Sequence, residues 1–122
     1  MSDTNALLQL LEGLRLRRET IQYKPLADAL GLVPPKQIQK LAELLEAVQE
    51  DDALLGRPQR AALVIQKGNE PIPRPGFFIK LKTLGVYQGT DRGPEAEMWH
   101  QNELERLYEW RPGGDSEKRE TP

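Results

Sequence analysis

Apolar residues recur at intervals of three or four along much of the chain, the spacing that places them on one face of an α-helix. Leu7, Leu10, Leu11 and Leu14 follow this spacing near the start of the chain. Three later stretches show the same spacing and are bounded by proline or glycine, as helices often are. The predicted helices cover residues 4–18, 24–30, 35–54 and 95–110.

The third predicted helix changes charge along its polar face. Pro35 suits its first position, and Lys36 and Lys40 lie close behind. Its last turns are acidic, which opposes the helix dipole, so we expect this end either to fray or to meet basic partners. The acidic residues are Glu43, Glu46, Glu50, Asp51 and Asp52.

The pattern between the last two helices is less regular. The short apolar run at residues 61–65 predicts a β-strand, and residues 67–75, with three prolines and a glycine, predict an irregular loop. Over residues 77–84 the spacing favours a helix, but the alternation around Lys80 and Lys82 also allows a strand.

This order of elements is typical of a winged helix-turn-helix domain, in which a short second helix and a long third helix precede strand and loop. We therefore predict a mainly α (α+β) fold. It would be a winged-helix-like helical domain with a short β element and an additional C-terminal helix. Residues 1–110 would form this single domain, and residues 111–122, which are polar and rich in glycine, would be a disordered tail.

Residues 21–66 resemble the C-terminal half of DNA methylguanine methyltransferases and their alkyltransferase-like relatives. The likeness is carried by residues 21–31, where a tyrosine starts the short helix, Leu-Ala stands in its middle and Leu-Gly ends it. The family's Pro-Cys-His-Arg active site is missing, and the corresponding region reads Leu63-Val64-Ile65-Gln66. The arginine that the family inserts into the base stack aligns with Gln39. The resemblance thus implies the architecture and an affinity for DNA, without alkyl transfer.

Composition narrows the possible chemistry of the 122-residue chain. It has no cysteine and one histidine, His100, so thiol catalysis, disulfides and zinc sites built on cysteine are excluded. No phosphate-binding glycine loop or paired catalytic motif occurs. We expect no enzymatic activity, cofactor, metal or small-molecule substrate. Without a membrane-spanning run, a signal sequence or cysteine, the expected location is the cytoplasm.

The main candidate site is the start of the third helix. In a helix-turn-helix this region meets base edges, where glutamine can pair with adenine and lysine can contact guanine or phosphate. The net charge of −2 argues mildly against strong binding of double-stranded DNA. An ordinary solvated helix face remains the competing interpretation. The candidate residues are Lys36, Gln37, Gln39 and Lys40.

The proline-rich loop and the segment after it form a second candidate, equivalent to the wing of a winged helix. Basic groups there could lie along DNA phosphates, or they could simply keep an exposed connection soluble. The residues are Lys67, Asn69, Arg74, Lys80 and Lys82.

A protein-interaction module is the alternative function, either for another protein or for self-association. Glu46 and Glu50 on the acidic part of the third helix, with Trp110 at the end of the last helix, would then contact the partner. We expect Phe77 and Trp99 to lie in the core and Trp110 to be the most exposed aromatic residue. His100 lies near Glu97 and Glu103 at helical spacing, and a solvated helix face is expected there.

Overall fold

The computed structural model describes residues 3–68 and 71–111 as a mainly helical fold with one small parallel sheet. The five α-helices are α1 (Asp3–Arg17), α2 (Tyr23–Ala29), α3 (Gln37–Leu55), α4 (Pro75–Thr83) and α5 (Pro94–Glu109). The two strands are β1 (Ile21–Gln22) and β2 (Val64–Ile65), and a 3₁₀ helix spans Arg60–Leu63. The mainly α, α+β prediction is confirmed.

Four predicted helices are present with ends that shift by one or two residues, because their apolar spacing reflects real burial. The helix favoured over residues 77–84 is α4, which begins at Pro75. Pro35 does not begin α3, since the helix starts two residues later, at Gln37. Except for Arg111, the tail predicted at residues 111–122 lies outside the described residues.

The strand predicted at residues 61–65 is wrong for its first three positions. These residues belong to the 3₁₀ helix, and only Val64 and Ile65 are extended. Val64 pairs with Ile21 and Ile65 with Gln22 in the parallel sheet. The 3₁₀ helix contacts α1, α3 and α5, and Ala62 is fully buried among them. An apolar run surrounded on all sides is buried equally well as a tight helical turn or as a strand.

The core lies between α1, α2, α3 and the 3₁₀ helix and extends under α4 and α5. Phe77 is buried, as predicted, while Trp99 is half-buried against the core. With Phe78 and Tyr87 they form an aromatic cluster whose ring centroids lie 5.0–6.2 Å apart. Within the described residues, no helix combines the length and apolar character needed to cross a bilayer.

Candidate nucleic-acid interface

The first turns of α3 present a small polar surface to solvent. Lys36 is the N-cap of the helix, and Lys36, Gln39 and Lys40 are all exposed. Gln39 and Lys40 lie three and four positions after Lys36, within the first turn of the helix. Neither lysine forms an ion pair within residues 3–68 and 71–111. Gln37 is buried, with 7% of its surface exposed, so it is unavailable to a ligand.

The predicted wing residues do not form a free positive surface. Lys67 is exposed after β2, whereas Asn69 lies outside the described residues. Lys80 forms an ion pair with Glu50 of α3, with 2.5 Å between Nζ and Oε2. Its charge is therefore balanced inside the protein. Lys82 is exposed on the same helix.

Arg74 is held against the start of α2. Its backbone N–H donates to the Tyr23 hydroxyl at 2.9 Å, and its guanidinium carbon lies 5.6 Å from the centre of the Tyr23 ring. Burial raises the pKa of Tyr23 to about 12, although the hydrogen bond and the charge from Arg74 oppose the shift. Arg74 thus fixes the position of the loop against the start of α2.

A small pocket lies beside Arg74, between α2, α3 and the start of α4. Leu45 and Phe77 provide apolar walls, and Tyr23, Arg74 and Glu46 also line it. Its volume is about 60 Å³, whereas sites for small molecules usually measure about 300–1,000 Å³. The pocket can hold a few water molecules or one small group, and it is too small for a typical organic substrate.

The three residues predicted to contact a protein partner have different neighbours. Glu46 is exposed beside the Arg74 pocket, and Glu50 is paired with Lys80. Trp110, which we expected to be the most exposed aromatic residue, is half-buried beside Arg15, whose guanidinium carbon lies 5.2 Å from the indole centre. The acidic part of α3 and the aromatic end of α5 therefore have separate contacts.

His100 does not lie on a solvated helix face, so that expectation is wrong. The side chain is 5% exposed, and Nε2 lies 2.8 Å from the carbonyl oxygen of Ala62. Burial lowers the pKa of His100, and the bond to Ala62 opposes the shift only partly. Glu103 is also buried, and its carboxylate accepts a hydrogen bond from the backbone N–H of Gln59. The described residues contain no group of three side chains suited to a metal ion.

Sequence reasoning missed the ion pairs that hold the end of α3. Asp52 is fully buried and accepts hydrogen bonds from Arg57 and Arg60 at 2.9–3.2 Å. The sequence signal for these ion pairs was that Arg57 and Arg60 follow the acidic end of the helix within eight residues of Asp52. The acidic end of α3 was expected either to fray or to meet basic partners, and it meets two arginines of its own chain.

Comparison with protein-family models, curated proteins and solved structures finds no match to this chain. The exposed start of α3 and the surfaces around it are therefore the features from which a function is inferred.

Proposed function

We propose that this protein is a non-catalytic DNA-binding module that contacts the duplex through the first turns of α3. The observation that carries the proposal is the exposed group formed by Lys36, Gln39 and Lys40, in which neither lysine has a carboxylate partner among the described residues. α2 and α3 follow one another with only seven intervening residues, 30–36. A helix-turn-helix uses this order to present the start of its second helix to the major groove.

The chemistry of these residues suits a duplex. The amide of Gln39 can donate to and accept from adenine, while Lys36 and Lys40 can contact phosphates or guanine. The dipole of α3 places a partial positive charge at its start, which favours phosphate. Lys67 is the exposed loop cation that could extend the contact.

The acidic residues that follow Lys40 along α3 limit the size of this surface. Glu43, Glu46 and Glu50 are exposed further along the helix, and Glu50 already binds Lys80. These carboxylates repel phosphates, so DNA should cross α3 only at its first turns. With about two to four phosphate contacts, a plot of log affinity against log salt concentration should have a slope of about −2 to −4.

The pocket beside Arg74 is too small for a typical organic substrate, which agrees with a role in binding a macromolecule. Among the described residues that line this pocket, Tyr23 is the one that carries a hydroxyl group. Its pKa of about 12 keeps the phenol protonated at neutral pH. We also propose that the protein is located in the cytoplasm, as expected from its composition.

Fluorescence anisotropy of a labelled duplex, measured at several salt concentrations, tests the proposal. We expect salt-sensitive binding by the wild type and at least a tenfold loss in the Lys36→Glu/Lys40→Glu variant, because two attractive contacts become repulsive. The single variants Lys40→Glu and Arg92→Glu change the net charge equally. Arg92 lies in the turn before α5, with its side chain 78% exposed, so only Lys40→Glu should weaken binding strongly.

Two results would overturn the proposal. One is the absence of duplex binding by the wild type at low salt. The other is an equal loss in Lys40→Glu and Arg92→Glu, which would show a response to net charge and not to this surface.

A further inference from the structure

The ends of α1, α3 and α5 meet around Trp110, far from the proposed duplex surface. Two open clefts lie beside this indole, with volumes of about 380 and 270 Å³. Gly56, the residue after α3, lines the smaller cleft. Lys36 is twenty residues earlier, so a helical rise of about 1.5 Å per residue separates the two surfaces by about 30 Å.

Arg15 fixes Trp110 in place. Its guanidinium is almost completely buried, donates to the carbonyl oxygens of Leu107 and Trp110, and binds Glu12 at 2.7 Å. The guanidinium also packs on the indole. These contacts hold the half-exposed Trp110 ring in one position before a ligand binds, which lowers the entropic cost of binding.

Arg18 lies against Tyr108, which lines the same cleft as Trp110, and has an unusual backbone conformation. Its φ angle is +59°, at the position after α1 where glycine is the usual residue. The guanidinium carbon lies 5.6 Å from the centre of the Tyr108 ring. Arg18 has no carboxylate partner among the described residues. A long cationic side chain therefore occupies a position for which the backbone favours glycine.

The lining of the two clefts is mainly cationic and aromatic. Arg18 and Arg111 line the larger cleft, and Arg106 lines the smaller one. Arg106 binds the buried Glu103, yet 58% of its side chain stays exposed. Glu109 is the single carboxylate among the described lining residues. Arg15 and Arg106 are balanced by Glu12 and Glu103, so the positive charge available to a ligand comes from Arg18 and Arg111 in the larger cleft.

We infer that this surface binds single-stranded nucleic acid, a second binding activity beyond the duplex contact proposed for α3. Bases stack on aromatic rings and on guanidinium planes, and arginines hold the phosphates between them. Tyr108 and Trp110 line the larger cleft together and offer two such rings, with Arg18 and Arg111 beside them for the phosphates. A duplex keeps its bases stacked on each other, so it cannot use these rings.

Anisotropy of a labelled twelve-residue oligothymidylate measures this activity. We expect at least a tenfold loss of affinity in Arg18→Glu and less than a twofold change in Arg17→Glu. Arg17 is exposed next to Arg18, does not line either cleft and binds Glu19. The two variants change the net charge by the same amount.

Arg18→Gly separates binding from folding. Glycine suits the positive φ angle, so the melting temperature should stay the same or rise while affinity for the oligonucleotide falls. Unchanged affinity in Arg18→Gly would refute the inference. Equal competition by polyglutamate would also refute it, because that result indicates a surface for acidic proteins.

The two proposals can fail separately. Lys36→Glu/Lys40→Glu should remove duplex binding and leave oligothymidylate binding within twofold of the wild type. Loss of both activities in that variant would place single strands on α3 and overturn the second site.

Discussion

The two ends of α3 carry charges of the wrong sign for a helix, yet the protein treats them differently. Lysines lie at the start and carboxylates at the end, and both arrangements oppose the helix dipole. At the end, Asp52 is fully buried and bound by Arg57 and Arg60. At the start, Lys36 and Lys40 remain in solvent without a carboxylate partner among the described residues.

This difference separates residues that stabilise the fold from residues that are free to bind. The unfavourable charge at the end of α3 is offset by arginines that also anchor the 3₁₀ helix. The unfavourable charge at the start is offset by nothing in the described structure. Exposed cations that weaken their own helix are natural candidates for contacting an external anion.

The largest expected effect is at Asp52. Replacing it with alanine leaves Arg57 and Arg60 without their shared carboxylate and removes the acceptor for the Arg60 backbone N–H. Breaking a buried ion pair in this way costs about 3–5 kcal/mol of unfolding free energy. Urea denaturation of Asp52→Ala measures the loss.

Asp51 provides the matched control, because it is the same residue one position earlier and is exposed. Asp51→Ala should change the unfolding free energy by no more than about 0.5 kcal/mol. Similar losses in the two variants would show that the end of α3 is not anchored by the Asp52 ion pairs.

An intermediate effect is expected from His100, which binds the 3₁₀ helix that follows α3. Its pKa is below the ordinary value of 6.5 in the folded protein because the ring is buried. As the pH falls through about 6.5, the unfolded chain takes up a proton more readily than the folded one, so stability decreases. Above about pH 6.5, neutral His100 makes its full contribution to the unfolding free energy.

Urea denaturation between pH 8 and pH 5.5 measures this dependence, above the range in which exposed carboxylates titrate. In His100→Gln the decrease should be smaller, because glutamine does not titrate. An identical pH dependence in both proteins would contradict the assignment to His100.

The smallest effect on stability is expected at the start of α3. Lys36→Ala/Lys40→Ala should change the unfolding free energy by no more than about 0.5 kcal/mol, since both side chains are exposed and unpaired within the described residues. The same urea experiment measures it. A loss near that of Asp52→Ala would mean that these lysines are structural, which would remove the reason for giving them a binding role.

Periodic features were predictable from the sequence, and features that depend on distant contacts were not. The apolar spacing along α1 and α3 located both helices, because helical burial repeats every three or four residues. Asp52 and Gln37 lie on the same helical stripe as Leu41, Leu45 and Val48, so the spacing that located α3 also separates them from the exposed Asp51 and Gln39. Only the packing of α3 shows that two arginines meet Asp52.

The apolar run at residues 61–65 shows a different difficulty. A strand and a 3₁₀ turn can bury such a short run equally well, so its composition does not distinguish them. His100 was misplaced because its helix contacts the 3₁₀ helix through a face that also carries buried Glu103. Polar residues on a buried face resemble a solvated face in the sequence.

The most direct test of the central claim is a titration of the isotopically labelled protein with a short duplex, followed by amide chemical shifts in two-dimensional NMR. The account predicts the largest changes at residues 36–40, with little change at Asp52 and its arginine partners. Changes confined to the end of α3, or no changes at low salt, would contradict it.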